Sequence, residues 1–163
     1  MTRPMLPIAG EDSERCDAAR NRRLLLDAAT DLVATVGADA VTMDAVAAKA
    51  GVGKGTVFRR FGNRAGLMRA LLDHTEKKLQ HSFMFGDPPL GPGADPIDRL
   101  VAFGRARLDF VNVQGEVLRA AENSDDARYS APAHMVNFTH VLSLLRAAEV
   151  DGDLELLAYW LLT

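Results

Sequence analysis

Apolar residues recur at three- and four-residue spacing along most of the chain, a period that predicts helices rather than strands. Leu24, Leu25, Ala28, Leu32, Val33 and Val36 form the first stripe and predict a helix from residue 17 or 20 to 36, stopped by Gly37. After a short connection, Thr42 is a suitable N-cap, because its hydroxyl can accept from an otherwise orphaned backbone N–H. Val46, Ala47 and Ala50 then repeat on one face, and Gly51 falls where a helix end needs a residue tolerant of positive φ. Val52 plugs the corner. A second short helix starts within 53–55, with Val57, Phe58 and Phe61 on its inner side. Two short helices joined by a Gly-containing turn of three or four residues read as a helix-turn-helix. Gly62 ends it and Asn63 caps a fourth helix over 64–81, with Leu67, Leu71, Leu72 and Leu79 inward.

Beyond this head the pattern loosens. The stretch 86–96 holds four prolines and three glycines and cannot continue a helix. Pro96 suits the first position of a new helix capped by Asp95. That helix is expected over 96–113 and is apolar on several sides, through Leu100, Phe103, Leu108, Phe110 and Val111. A short helix over 116–122, a polar loop over 123–126 and a long helix over 132–149 follow. The last of these carries Met135, Phe138, Val141, Leu142 and Leu145. A turn at 151–153 leads into an apolar helical segment, 154–162. With no strand pattern and no internal repeat, the predicted class is all-α.

Charge changes the picture more than composition does. Residues 1–82 hold 13 Lys and Arg against 10 Asp and Glu, and residues 83–163 hold 6 against 12. The halves therefore carry +3 and −6, together the −3 of the 163-residue chain. A basic amino-terminal part on an acidic remainder suits a nucleic-acid-binding head on a body with another task. Cys16, the single cysteine, permits no internal disulfide, which is compatible with a reducing cytoplasm. No apolar run approaches the length of a membrane span, so no membrane partner is expected. Residues 1–16, with Pro, Gly and acids but no signal-peptide pattern, are expected to be a disordered leader.

The basic residues concentrate on the helix-turn-helix. From Ala45 to Leu72 there is no Asp or Glu, whereas Lys49, Lys54, Arg59, Arg60, Arg64 and Arg69 all fall inside. A basic stripe interleaved with aromatics is the footprint of a DNA reader; the plainer reading is a solvated basic face on a structural helix pair. The second helix of such a motif enters the major groove with its amino-terminal residues at base edges. Lys54, Gly55, Thr56 and Arg59 are the expected readers, Gly55 by permitting close approach. Thr42, Arg60 and Arg64 are expected on phosphates. Arg20, Arg22 and Arg23 could form a basic arm, or simply be solvated.

The run Thr42, Val46-Ala47, Ala50-Gly51-Val52, Gly55-Thr56-Val57-Phe58, Phe61, Asn63-Arg64 and Leu67 resembles the DNA-binding domain of the tetracycline-repressor (TetR) family over residues 20–72. The resemblance implies a head at 17–65 with its motif at 42–61, and a helical effector-binding and dimerisation body at 66–163. It implies a ligand-responsive regulator, most simply a repressor, that binds a palindromic operator in double-stranded DNA as a homodimer and is released by a small molecule. Phe58 stands where the family most often has Tyr, so a hydroxyl available to phosphate is lost. The family usually continues through two further carboxy-terminal helices, and this sequence is expected to lack the last of them. Candidate effector contacts are Phe103, Arg107, Phe110, Met135, Phe138 and Trp160, with Leu142 and His140 beside them, although such spacing is also that of an ordinary core.

Other chemistries fit poorly. Gly51–Thr56 imitates a phosphate loop, but Lys54 is followed by Gly55, Ala48 occupies the first glycine position, and a helix precedes it where a strand is required. His74 and His81 share a helix face without a completing ligand set. No enzyme, cofactor or metal is expected. The alternatives that remain are an activator of the same fold and a helical interaction protein without specific DNA binding.

Overall fold

The structure is a computed structural model and describes residues 9–120 and 131–162. Seven α-helices follow one another among the described residues: α1 (Ala9–Val36), α2 (Met43–Ala50), α3 (Lys54–Phe61), α4 (Arg64–Phe85), α5 (Pro96–Ala120), α6 (Ala131–Ala147) and α7 (Leu154–Trp160). A single 3-10 turn, Ala38–Ala40, separates α1 from α2. The class is all-α, as the periodicity predicts.

Helix ends in the head fall where local chemistry puts them. Thr42 Oγ1 accepts from Ala45 N at 3.1 Å and starts α2. Gly51, at φ 68°, ends it, with Val52 N donating to Ala47 O and Gly51 N to Ala48 O, the paired bonds of a Schellman cap. Asn63 Oδ1 accepts from Gly66 N at 2.8 Å and starts α4. In the body, Asp95 accepts from Ile97 N and Asp153 from Leu156 N, capping α5 and α7.

Other boundaries differ from expectation. α1 begins at Ala9, so residues 9–16, expected in a disordered leader, are helical; residues 1–8 lie outside the described residues. Its buried face is Leu25, Leu26, Ala29 and Val33, while Leu24 and Val36 are exposed. Three consecutive leucines fit two helical phases, and packing selects the later one. α4 runs on to Phe85. α5 continues unbroken to Ala120, replacing the two helices expected over 96–113 and 116–122. The loop expected over 123–126 lies outside the described residues.

Two cores result. The first gathers Leu25, Ala29, Val41, Val46, Val57, Phe61, Leu67, Leu71 and their neighbours from α1 to α4. It extends past residue 65 to Leu72, and it takes in one residue from the far end of α5, Val117. The second core joins Leu79 and Phe83 of α4 to Phe103, Phe110, Val141, Leu142, Leu145 and Ala158. α4 therefore belongs to both cores, its first half to the head and its second to the body. Arg99 at the start of α5 donates from Nη2 to Phe83 O at 3.1 Å, fastening α5 to the end of α4.

Candidate nucleic-acid interface

α3 presents its polar face because its apolar residues are few and adjacent in phase. Val57 and Phe61, four apart, are buried against the first core and fix the rotation of the helix. At 100° per residue, Gly55, Thr56 and Arg59 then fall on the side opposite the core. Lys54 and Phe58 lie on one flank and Arg60 on the other. Arg59 and Arg60 are exposed. Gly55 has no heavy atom within 4 Å of where a Cβ would stand, so the surface there is open.

Several candidate residues occupy places the sequence does not predict. Phe58 is not on the inner side: it is 41% exposed. The phase that buries Val57 turns its neighbour through 100°, and the ring lies with its centroid 5.9 Å from Lys54 Nζ, where a cation–π contact forms. Arg64 is committed to structure. Its Nε donates to Val41 O at 3.0 Å, and Nη2 to Ala38 O at 2.8 Å and to Asp39 O at 3.4 Å. A guanidinium satisfies the carbonyls of the 3-10 turn better than water could in a half-buried corner, and this pins α4 to the α1–α2 connection. Thr42 uses its oxygen as an acceptor in the cap and keeps its hydroxyl proton for another partner. Lys49, expected to be solvated, lies 3.5 Å from Asp31.

Lys54 is also paired. Its Nζ is 2.6 Å from Asp44 Oδ2, across the turn on the first turn of α2. The sequence pattern alone does not point to Asp44, although it is the only acid between residues 40 and 72.

Behind α3, the Arg22 guanidinium carbon sits 5.2 Å from the Phe61 ring centroid, so this arginine packs on the head instead of forming a loose arm. A groove between α1 and α4 is lined by Arg22, Arg23, Asp27, His74, Lys78 and His81, among others. His74 Nε2 lies 3.0 Å from Asp27 Oδ1, and Lys78 Nζ lies 3.6 Å from the same oxygen. Burial pushes the Asp27 carboxyl up, but the His74 hydrogen bond and the Lys78 charge outweigh it and hold the group below its ordinary value. Among the described residues, no three His, Cys, Asp or Glu side chains converge as a metal site.

The expected effector contacts are distributed between the core and the surface of the body. Phe103 and Phe110 are core, with the Arg107 guanidinium carbon 5.1 Å from the Phe110 centroid. Phe138 is half-buried against the same core. Met135 is 60% exposed and Trp160 67%. A shallow cavity of about 380 Å³ lies between the end of α4 and α6, lined by Phe83, Met84, Met135, Val136, Thr139, His140 and Ser143. His140 stacks on Phe83, centroids 4.2 Å apart. Burial, with the Arg99 charge adding to it, lowers the His140 pKa to about 4, so the ring is neutral at neutral pH. Among the described residues, no helix is long and apolar enough to cross a membrane.

Residues 25–71 match the model of the family described as bacterial regulatory proteins, tetR family. An HTH-type transcriptional repressor of Mycobacterium tuberculosis (strain H37Rv) and an HTH-type transcriptional regulator of Mycobacterium bovis are each 46% identical over 90 residues. Each alignment covers 52% of this chain and 45% of the relative, so the chain spans about half the length of the curated relatives it matches. The crystal structure of an ArpA-like gamma-butyrolactone receptor superposes on 88% of this chain and 77% of its own, with 23% identity and a TM-score of 0.48. The helix-turn-helix head, over residues 25–71, is thus similar to the bacterial regulatory proteins of the tetR family.

Proposed function

We propose that the chain is a sequence-specific DNA-binding transcriptional regulator, acting as a repressor on a palindromic operator, and that a small molecule bound in its helical body releases it. The observation that carries the reading is the outward face of α3. Arg59, Arg60, Thr56 and an open Gly55 stand clear of the core on a helix without a single acid. Arg59 and Thr56 suit guanine and thymine edges, and Arg60 suits phosphate. Repression follows the relative whose name carries that word. Two heads about one DNA turn apart would double the contacts, which favours a homodimer.

The cavity between α4 and α6 is the place we assign to the effector. It touches the body half of the same helix whose other half builds the head, so a ligand that prefers one placement of α4 would bias the spacing of the heads.

The test is binding to duplex DNA from upstream of the protein's own gene at several salt concentrations, with wild type and Arg59→Ala. Wild type should select a palindromic site with a steep salt dependence, and Arg59→Ala should relax the choice at one position of each half-site. Equal binding of both proteins to every sequence would make the helix-turn-helix a scaffold and favour the interaction-protein reading.

A further inference from the structure

The recognition helix carries its first lysine already engaged. Lys54 Nζ and Asp44 Oδ2 are 2.6 Å apart with both side chains more than half exposed, and the Phe58 ring bounds the ammonium at 5.9 Å. On a surface that approaches DNA, a carboxylate repels phosphate and removes one lysine from the set that can displace counterions. The exposed pair itself contributes little to stability, and although Asp44 in the first turn of α2 meets the helix dipole, that role does not require the partner lysine. What the pair offers is a donor beside an acceptor at a set separation. The major-groove edge of a G·C pair has the complementary order, acceptors at guanine O6 and N7 beside the donor at cytosine N4.

We propose that Asp44 is a specificity-determining residue: with Lys54 it forms a paired reader of one G·C base pair, and it suppresses binding to phosphate alone. The inference rests on the DNA-binding reading above. Lys54 donates to guanine while Asp44 accepts from cytosine, and the ion pair need not break for either contact. On DNA without that base pair the carboxylate has no donor to meet and faces backbone charge instead. Arg59, on the opposite side of the flank, reads independently.

The test begins by selecting duplexes from a random-sequence pool with the wild-type chain. Every base pair of the selected site is then replaced in turn, and wild type, Asp44→Asn and Asp44→Ala are compared. Asp44→Ala should lose about tenfold of the preference for G·C at one symmetric position per half-site. Asp44→Asn should move that preference toward A·T, because an amide pairs with adenine N6 and N7. On mixed-sequence duplex, Asp44→Ala should bind more tightly than wild type, with a salt slope steeper by about one phosphate. The inference is overturned if both variants, folded by circular dichroism, keep the wild-type base preferences, or if Asp44→Ala weakens binding to all duplexes alike. Failure of the DNA-binding reading looks different: wild type then selects no sequence at all, and Asp44 has nothing to discriminate.

Discussion

The two halves of this molecule bury their residues in different ways. In the head, Val41, Val46, Val57, Leu67 and Leu71 are almost wholly inaccessible, and the side chains of Thr42 and Asn63 cap the starts of α2 and α4. In the body, polar atoms of Arg99, Arg107, Asn137 and His140 are buried without a hydrogen-bond partner among the described residues. Leu108, Met135, Leu156, Tyr159 and Trp160 lie on the surface there. Asn137 shows the contrast in one side chain: Nδ2 donates to Glu76 at 3.2 Å while Oδ1, equally buried, accepts from nothing. A head that presents one helix in a fixed rotation gains from a closed core. Unsatisfied polar groups are costly to hold, and they leave the body with interactions it can still make.

The contrast breaks most visibly under truncation of large side chains. Leu67→Ala, in the head, should cost about 2–5 kcal/mol, whereas Leu108→Ala on the body surface should stay within about 0.5 kcal/mol. Urea unfolding of the two variants measures both, and equal losses would erase the distinction. Next in size, Arg64→Ala takes the guanidinium donor from Val41 O and Asp39 O, leaves Ala38 O only its bond from Val41 N, and should cost about 1–3 kcal/mol. Arg60→Ala should leave stability unchanged and lower DNA affinity alone, which separates a structural arginine from a binding one.

A pH titration sharpens the body side. The folded His140 pKa, about 4, lies below its ordinary value of 6.5, so between those values the unfolded chain binds the extra proton. Its contribution to stability is complete above pH 6.5 and is lost as pH falls from there toward 4. His140→Phe, which can retain the stack on Phe83, should flatten that part of the stability profile. The smallest effect is expected from Lys49→Ala. Its exposed pair with Asp31 is worth about 0–1 kcal/mol, and thermal unfolding should barely move.

The head was legible because its punctuation is local. Thr42, Gly51, Gly62 and Asn63 act on backbone groups within four residues, so their chemistry and their positions are read together. Rotation was harder. An aromatic next to a buried valine reads as core, yet 100° of helix puts Phe58 beside Lys54. Long-range partners left no trace in the pattern. Nothing near Arg64 in sequence announces carbonyls 23 and 26 residues earlier, and nothing near His74 announces Asp27, 47 residues away. The pairing of Lys54 with Asp44, ten residues earlier, is likewise a property of the folded chain. Gly115 lies inside α5, although glycine in a helix interior costs about 1 kcal/mol relative to Ala. Burial of Val117 two residues on more than offsets that.

That buried valine has a mechanical consequence. α5 has 25 residues, a rod of about 37 Å at a rise of about 1.5 Å per residue. Arg99 fastens one end to α4 beside the second core, and Val117 seats the other in the head. Together with α4 it closes a frame braced at both ends. A frame of this kind transmits torque: rotating the head against the body must either slide Val117 out of its seat or bend the rod.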